Sequence, residues 1–196
     1  MPPPNDLRRA QLTDAAIALL AESGVHGVTH RSVERRADLP AGTASNYFRS
    51  REALLVATAE RIIALHHADM NAAAGHTAAR DDTAGAATAV DLIAGSLLAA
   101  ATTYRARYLA IFELRLESLR RPALAAALEA LSDATVAFTR RHHADLDLGI
   151  PPAGVATMVA LYGGALFTLV SAPPGEVTPA AVRGLAEAIV RSAFPG

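Results

Sequence analysis

Between Gly42 and Arg51 the chain reads Gly-Thr-Ala-Ser-Asn-Tyr-Phe-Arg-Ser-Arg, a short run rich in groups that can grip a polyanion. Thr43, Ser45, Asn46 and Tyr47 supply hydroxyl and amide groups of the kind that reach base edges and phosphate oxygens. Phe48 belongs instead in a core. Ser50 has the side chain of a helix N-cap, which puts Arg51 in a first turn where the macrodipole disfavours a cation. A phosphate close by would reverse that sign.

Other chemistry-bearing residues group less well. Glu113 and Glu117 share a helical face at i, i+4, but Arg115, Arg120 and Arg121 beside them favour ion pairs over acid/base work. His66-His67 with Asp69 and His142-His143 with Asp145 look like ligand sets, yet neighbours on a helix diverge by about a third of a turn and share one ion poorly. No metal site, cofactor or catalytic group is expected from them, and an enzyme is not the expected class. The absence of cysteine removes disulfides, thiolate metal sites and cysteine nucleophiles.

Composition narrows the class further. Hydrophobic residues at 52% against 19% charged indicate a folded chain, and a net charge of -1 requires any nucleic-acid contact to be local. All 18 basic residues are Arg. Residues 1–9 hold no apolar run, and the apolar stretch Val155 to Val170 is shorter than a membrane span, so neither a signal peptide nor a transmembrane helix is expected. A cytoplasmic protein with no membrane partner is the simple expectation.

Apolar residues recur at helical spacing throughout, which predicts an all-α protein of about nine helices. The first runs from Asn5 or Asp6 to a stop at Gly24, with Leu12, Ala16, Leu19 and Leu20 on one stripe. Thr29 caps a short second helix through Ala37, with Val33 inward and Arg31, Arg35 and Arg36 elsewhere. The turn Asp38-Leu39-Pro40-Ala41-Gly42 leads to a third helix from Thr43 to Phe48. Ser50 then opens a long fourth helix carrying Leu54, Leu55, Ile62 and Leu65. Two short helices and a tight turn suggest a helix-turn-helix.

A loop is expected from Ala72 to Thr88, before a fifth helix striped with Val90, Ile93, Leu97 and Leu98. The sixth helix carries Tyr108, Phe112, Leu116 and Leu119 and stops before Pro122. The seventh carries Leu124, Leu128, Leu131 and Phe138 and ends near Leu148. From Pro152 to Ser171 the eighth is apolar nearly all round, and Gly163-Gly164 would admit a second helix at close range. Thr178-Pro179 opens the ninth.

The stretch Ala37 to Leu55, with Gly24 to Ala37 upstream, resembles the signature around the recognition helix of TetR-like (tetracycline-repressor family) transcriptional regulators. The resemblance covers roughly residues 8 to 62. It departs from the usual pattern at Asp38 for a turn Gly, Pro40 for a capping Ser, Ser45 for Tyr, Tyr47 for His and Arg51 for Lys. It implies a three-helix helix-turn-helix DNA-binding domain in residues 1–50 and a helical ligand-binding and dimerisation domain in 51–196. The implied DNA contacts are Thr29, Arg31, Ala41, Gly42, Thr43, Ser45, Asn46, Tyr47 and Arg51. Ser45 and Asn46 would approach bases, while Tyr47 and Arg51 would grip the backbone.

The expected function is then a ligand-responsive, homodimeric regulator, a repressor released from a double-stranded, pseudo-palindromic DNA operator by a small-molecule effector. Its half-sites would lie about 34 to 36 Å apart or a multiple of that. Tyr108, Phe112, Leu116, Phe138, Met158, Tyr162 and Phe167 are candidates to line the effector pocket. Val159, Gly163, Leu166, Val182, Leu185 and Ile189 are candidates for a subunit interface built from the last two helices. A small helical enzyme or ligand carrier is the alternative, a helical adaptor that dimerises through Pro152 to Phe194 is a third reading, and both leave Gly42 to Arg51 without a use.

Overall fold

The computed structural model describes residues 4–77, 85–173 and 175–194, and among them finds helices and turns only. In chain order these are α1 (Pro4–Ser23), a one-turn 3-10 helix (Val25–Gly27), α2 (His30–Arg36), α3 (Thr43–Tyr47), α4 (Arg51–Thr77), α5 (Ala86–Ala101), α6 (Arg105–Ser118), α7 (Pro122–Asp145), α8 (Val155–Ser171) and α9 (Pro179–Ser192). No single helix among them is long and apolar enough to cross a membrane. The all-α expectation, with nine α-helices in the described residues, is met.

The expected loop from Ala72 to Thr88 is shorter than the sequence suggests. Helix α4 continues to Thr77 and α5 begins at Ala86. Ala72, Ala73 and Ala74 are good helix formers, so an Ala-rich stretch after an established helix prolongs it. The rest of the expected loop, 78–84, lies outside the described residues.

The chain divides into two compact units, residues 1–65 with 106–131, and residues 66–105 with 132–196. In the first, α1 packs on α2 and on the 3-10 turn, and α2 packs on α3. Leu12, Leu20, Val28, Val33, Phe48, Leu54, Leu55, Leu114 and Leu124 are sealed from solvent there. Leu12, Leu20, Leu54, Leu55 and Leu124 are apolar positions the sequence singled out, whereas on α6 Leu114 is buried and the expected Leu116 and Leu119 face solvent. Burying each of the large ones is worth about 1.5–3 kcal/mol. Bidentate pairs from Arg36 to Glu22, at 2.9 and 2.6 Å, and from Arg61 to Asp14, at 2.9 and 3.0 Å, fasten α2 and α4 to α1. Their exposure keeps each a modest contributor.

In the second unit α5, α8 and α9 pack on one another around Ile93, Leu97, Met158, Leu169, Val182 and Ile189. Thr178 caps α9 through the Ala181 N–H at 3.3 Å, with Pro179 just inside, as the Thr-Pro pair predicts. Arg105 donates to the carbonyls of Val170 (2.9 Å) and Ala172 (3.2 Å), placing a cation at the C-terminal end of α8, where the macrodipole favours it. Gly154 is needed for proximity: a Cβ there would stand 2.1 Å from the carbonyl oxygen of Ala193.

The turn from α6 to α7 rests on Glu117, which is only 5% exposed. Its carboxylate accepts from Arg121 Nε at 2.5 Å and from Arg120 at 2.9 Å. The bonds from Arg121 and then Arg120 hold this carboxyl below its ordinary value of 4.5, against the opposing effect of burial. A lowered folded value stabilises the protein fully above pH 4.5, and that stabilisation disappears as pH falls through the folded value. Glu117→Gln is therefore expected to lower the Tm at neutral pH and to flatten the acid side of the curve. Thermal unfolding from pH 7 to pH 3 checks this: parallel curves for the two proteins would refute it.

Candidate nucleic-acid interface

Five residues are too few for a helix to hold itself together, because nucleation costs more than so few backbone bonds return. Helix α3 is therefore held from outside, and α2 does the holding. Thr29 caps α2 in a capping box: its Oγ1 accepts the Ser32 N–H at 3.1 Å, and the Ser32 hydroxyl oxygen accepts the Thr29 N–H at 2.8 Å. On the helix so begun, His30 and Glu34 stand at i, i+4 and reach the two ends of α3. The Glu34 carboxylate, buried, accepts the backbone N–H of Ala44 at 2.8 Å in the first turn of α3. The His30 ring nitrogen Nε2 lies 2.8 Å from the carbonyl oxygen of Phe48, just past its last turn, and bonds it as an N–H donor.

Backbone geometry completes the turn between the helices. Asp38 (φ 53°) and Gly42 (φ 87°) both take the left-handed conformation. Asp tolerates it at modest cost, so Asp38 serves where the family pattern has glycine. Pro40 offers its carbonyl, which accepts from the Thr43 hydroxyl at 2.6 Å. Ala44 and Phe48 face the interior, Phe48 with the Arg9 guanidinium 5.1 Å above its ring. Ser45 and Asn46 are left exposed on the opposite side, and Arg31, Ala41 and Gly42 are exposed beside them.

Two of the sequence candidates are engaged within the fold. The Tyr47 hydroxyl donates to Asn5 Oδ1 at 3.0 Å, tying α3 to the start of α1. The Arg51 guanidinium turns inward. Its Nε donates to the Val28 carbonyl at 2.7 Å and a terminal nitrogen donates to the Val25 carbonyl. The sequence expectation was an outward grip on phosphate. The charge misplaced at the start of α4 is instead compensated by carbonyls of the 3-10 turn, through charge-assisted bonds. Sequence reasoning missed Glu34 and His30 altogether; their i, i+4 spacing on a helix beside a very short one was the available signal.

The remaining candidates fall in separate places. Tyr108 is buried, Phe112 half-buried and Leu116 55% exposed in the first unit. Met158 is buried in the second unit, Phe138 and Tyr162 are half-buried, and Phe167 is 51% exposed. Phe138 and Tyr162 belong to one aromatic group with His66 and His67. The Tyr162 hydroxyl lies 2.7 Å from that of Ser96, and burial pushes the phenol up to about 12, opposed by the Ser96 bond. Of the interface candidates, Leu166, Val182 and Ile189 are buried within the single subunit. Val159, Gly163 and Leu185 are half-buried. The outward stripe of α8 is Thr157, Ala160, Leu161, Gly164, Phe167 and Thr168. An apolar helix covered on one side keeps its largest branched side chains inward, which is why hydrophobicity alone selected the inner face.

Glu34→Ala leaves the Ala44 N–H buried without an acceptor and is expected to cost about 1–3 kcal/mol. Glu34→Gln retains an acceptor oxygen and is expected to recover most of that loss. Urea unfolding of both variants checks the pair; equal stabilities would show that the carboxylate does not hold α3.

Residues 12–58 match the family model described as bacterial regulatory proteins, tetR family, and residues 84–196 match that of the tetracyclin repressor-like C-terminal domain. The HTH-type transcriptional regulator BetI of Paraburkholderia phymatum is 41% identical over 58 residues, a match spanning 30% of this chain and 30% of that relative's length. A TetR-family member from Streptomyces coelicolor A3 shares the fold with a TM-score of 0.69 and 24% identity over 96% of this chain and 99% of its own. A transcriptional regulator from Rhodococcus sp. Rha1 does so with a TM-score of 0.73 and 15% identity, covering 93% and 94%. With a helix-turn-helix braced from α2, and family models that match both ends of the chain, the protein belongs to the tetR family of bacterial regulatory proteins.

Proposed function

We propose that this protein is a ligand-responsive DNA-binding transcriptional regulator, a repressor that leaves a pseudo-palindromic operator when a small molecule binds. The observation that carries this is the fixed outward aspect of α3: it is braced at both ends from the inside, and Ser45 and Asn46 face solvent. Side chains on a rigid element can read base edges, because their reach does not have to be ordered on binding. Residues 1–50 form the DNA-binding domain in this proposal and 51–196 the ligand-binding and dimerisation domain, acting in the cytoplasm.

Thr29 and Arg31 at the start of α2, with Ala41, Gly42, Thr43 and Tyr47 in and around α3, would meet phosphates, which position without specifying. Arg51 acts by positioning: its two carbonyl bonds fix the 3-10 turn against the start of α4. The tetR-family model that matches residues 12–58 supports the DNA-binding half.

A homodimer would supply the second recognition helix. Its support is the outward stripe of α8, where a Cβ added at Gly164, or at the half-buried Gly163 next to it, meets nothing within 4 Å. The subunit itself does not need those glycines small, and a second copy approaching closely would.

A mobility-shift titration over a salt series, with operator selected from random DNA, checks DNA recognition. Asn46→Ala is expected to weaken selected DNA about tenfold or more, in line with about 1–3 kcal/mol per base contact, with the Tm unchanged. Equal affinity for selected and random DNA in the wild type would sink the proposal. Gly164→Arg is expected to give a folded monomer by light scattering and circular dichroism, with DNA affinity lost in parallel; a dimer of unchanged strength would place the interface elsewhere.

A further inference from the structure

Three imidazoles and a phenyl ring gather in the second unit where α4 and α7 contribute side chains. His67 stacks on Phe138 with ring centres 3.9 Å apart and planes 9° from parallel. Phe138 in turn stacks on His142 at 5.6 Å and 15°. His143, 8% exposed, adjoins His142 with ring centres 6.2 Å apart. Tyr162 of α8 approaches the same group through His66, at 6.0 Å.

Two nitrogens in this group, His67 Nε2 and His143 Nδ1, are buried and have no hydrogen-bond partner. Buried polar atoms are nearly always paired, and leaving one bare costs free energy comparable to a lost hydrogen bond. A structural role does not explain them, since a phenyl ring would stack as well at no such cost. Two bare nitrogens beside a stack of flat rings offer a flat polar molecule both a surface to stack on and a group to pair with.

We propose that this cluster receives an uncharged aromatic ligand carrying a ring hydroxyl, the phenol class, whose ring extends the stack and whose hydroxyl pairs with a bare imidazole nitrogen. The assignment rests on the effector-binding role proposed above and names the chemistry of its ligand. Hydroxyl chemistry fits because each bare nitrogen is a donor or an acceptor according to its tautomer, and a hydroxyl can meet either. A carbonyl can only accept.

Charge selects against the alternatives. Burial, and then His142, hold the His67 ring below its usual range, and the same two causes bring His143 to about 4. Burial also lowers His142, against the attraction of Asp145. The three rings are therefore mostly neutral at pH 7 and offer an anion no positive charge to offset its desolvation. The nearby acids, Asp69 and Asp145, act on Tyr162 and His142 and oppose an anion further.

The test uses the full-length protein and four probes of one shape: 2-naphthol, naphthalene, 2-naphthoate and 1-(naphthalen-2-yl)methylammonium. Binding is read at pH 7 by naphthyl fluorescence and by the shift in Tm. The expected result is that 2-naphthol binds at least tenfold tighter than each of the others. His67→Phe and His143→Phe are each expected to remove that advantage and to leave naphthalene affinity unchanged. Either variant suffices if the other fails to fold.

The proposal is overturned if naphthalene binds as tightly as 2-naphthol, if the naphthoate or the ammonium binds tightest, if no probe binds, or if a folded histidine variant keeps the preference. A mobility shift run alongside separates this from the regulatory role. Protein that binds operator but not 2-naphthol sinks only the phenol assignment. Protein that binds 2-naphthol through the histidines and holds operator unchanged supports the assignment and sinks the release mechanism.

Discussion

Everything the first unit offers to a partner depends on one arrangement, a histidine and a glutamate four residues apart on α2 that hold opposite ends of a helix too short to persist alone. His30 takes the carbonyl beyond the last turn of α3, and Glu34 takes an N–H in its first. A buried carboxylate accepting a backbone N–H is one of the stronger neutral-to-ion bonds available in a protein. It also spends its charge on a helix N-terminus, where negative charge is favoured. The apolar contacts of Ala44 and Phe48 then have a fixed backbone to act on, which a five-residue segment could not supply for itself.

Arginine plays an unexpected part in the same economy of support. Chains rich in arginine invite the inference that guanidinium groups face phosphate, and Arg51 sits where that inference is strongest. The structure puts its guanidinium beneath the start of α4, bonded to two carbonyls of the 3-10 turn. Arg36, Arg61, Arg105, Arg120 and Arg121 are likewise engaged with carboxylates or carbonyls of the protein. The planar fork of donors that suits phosphate suits a pair of backbone carbonyls or a carboxylate equally well.

The fold was largely legible in the sequence because its signals are local. Thr29, Ser50 and Thr178 all cap the helices that their type and position predict. Asp38 takes the left-handed turn conformation in the place of a glycine. What was not legible depends on pairing across the fold. Glu34 reads as one more charge in an Arg-rich helix until Ala44 is placed against it. Leu166, Val182 and Ile189 read as interface residues because periodicity finds an apolar face without saying which apolar face looks outward. The stacking of His67 and His142 on Phe138 joins two helices far apart in the chain and had no trace in spacing.

The division of labour on α3 has an evolutionary consequence. Ser45 and Asn46 add nothing to the packing that keeps the helix in place, and the residues that do keep it there are buried or half-buried. Substitutions at the two outward positions can therefore drift through many side chains without endangering the fold. Under the proposed reading of bases by these two side chains, a lineage carrying this scaffold would reach new genomic addresses by changing two codons, while His30, Glu34 and Phe48 keep the helix that presents them.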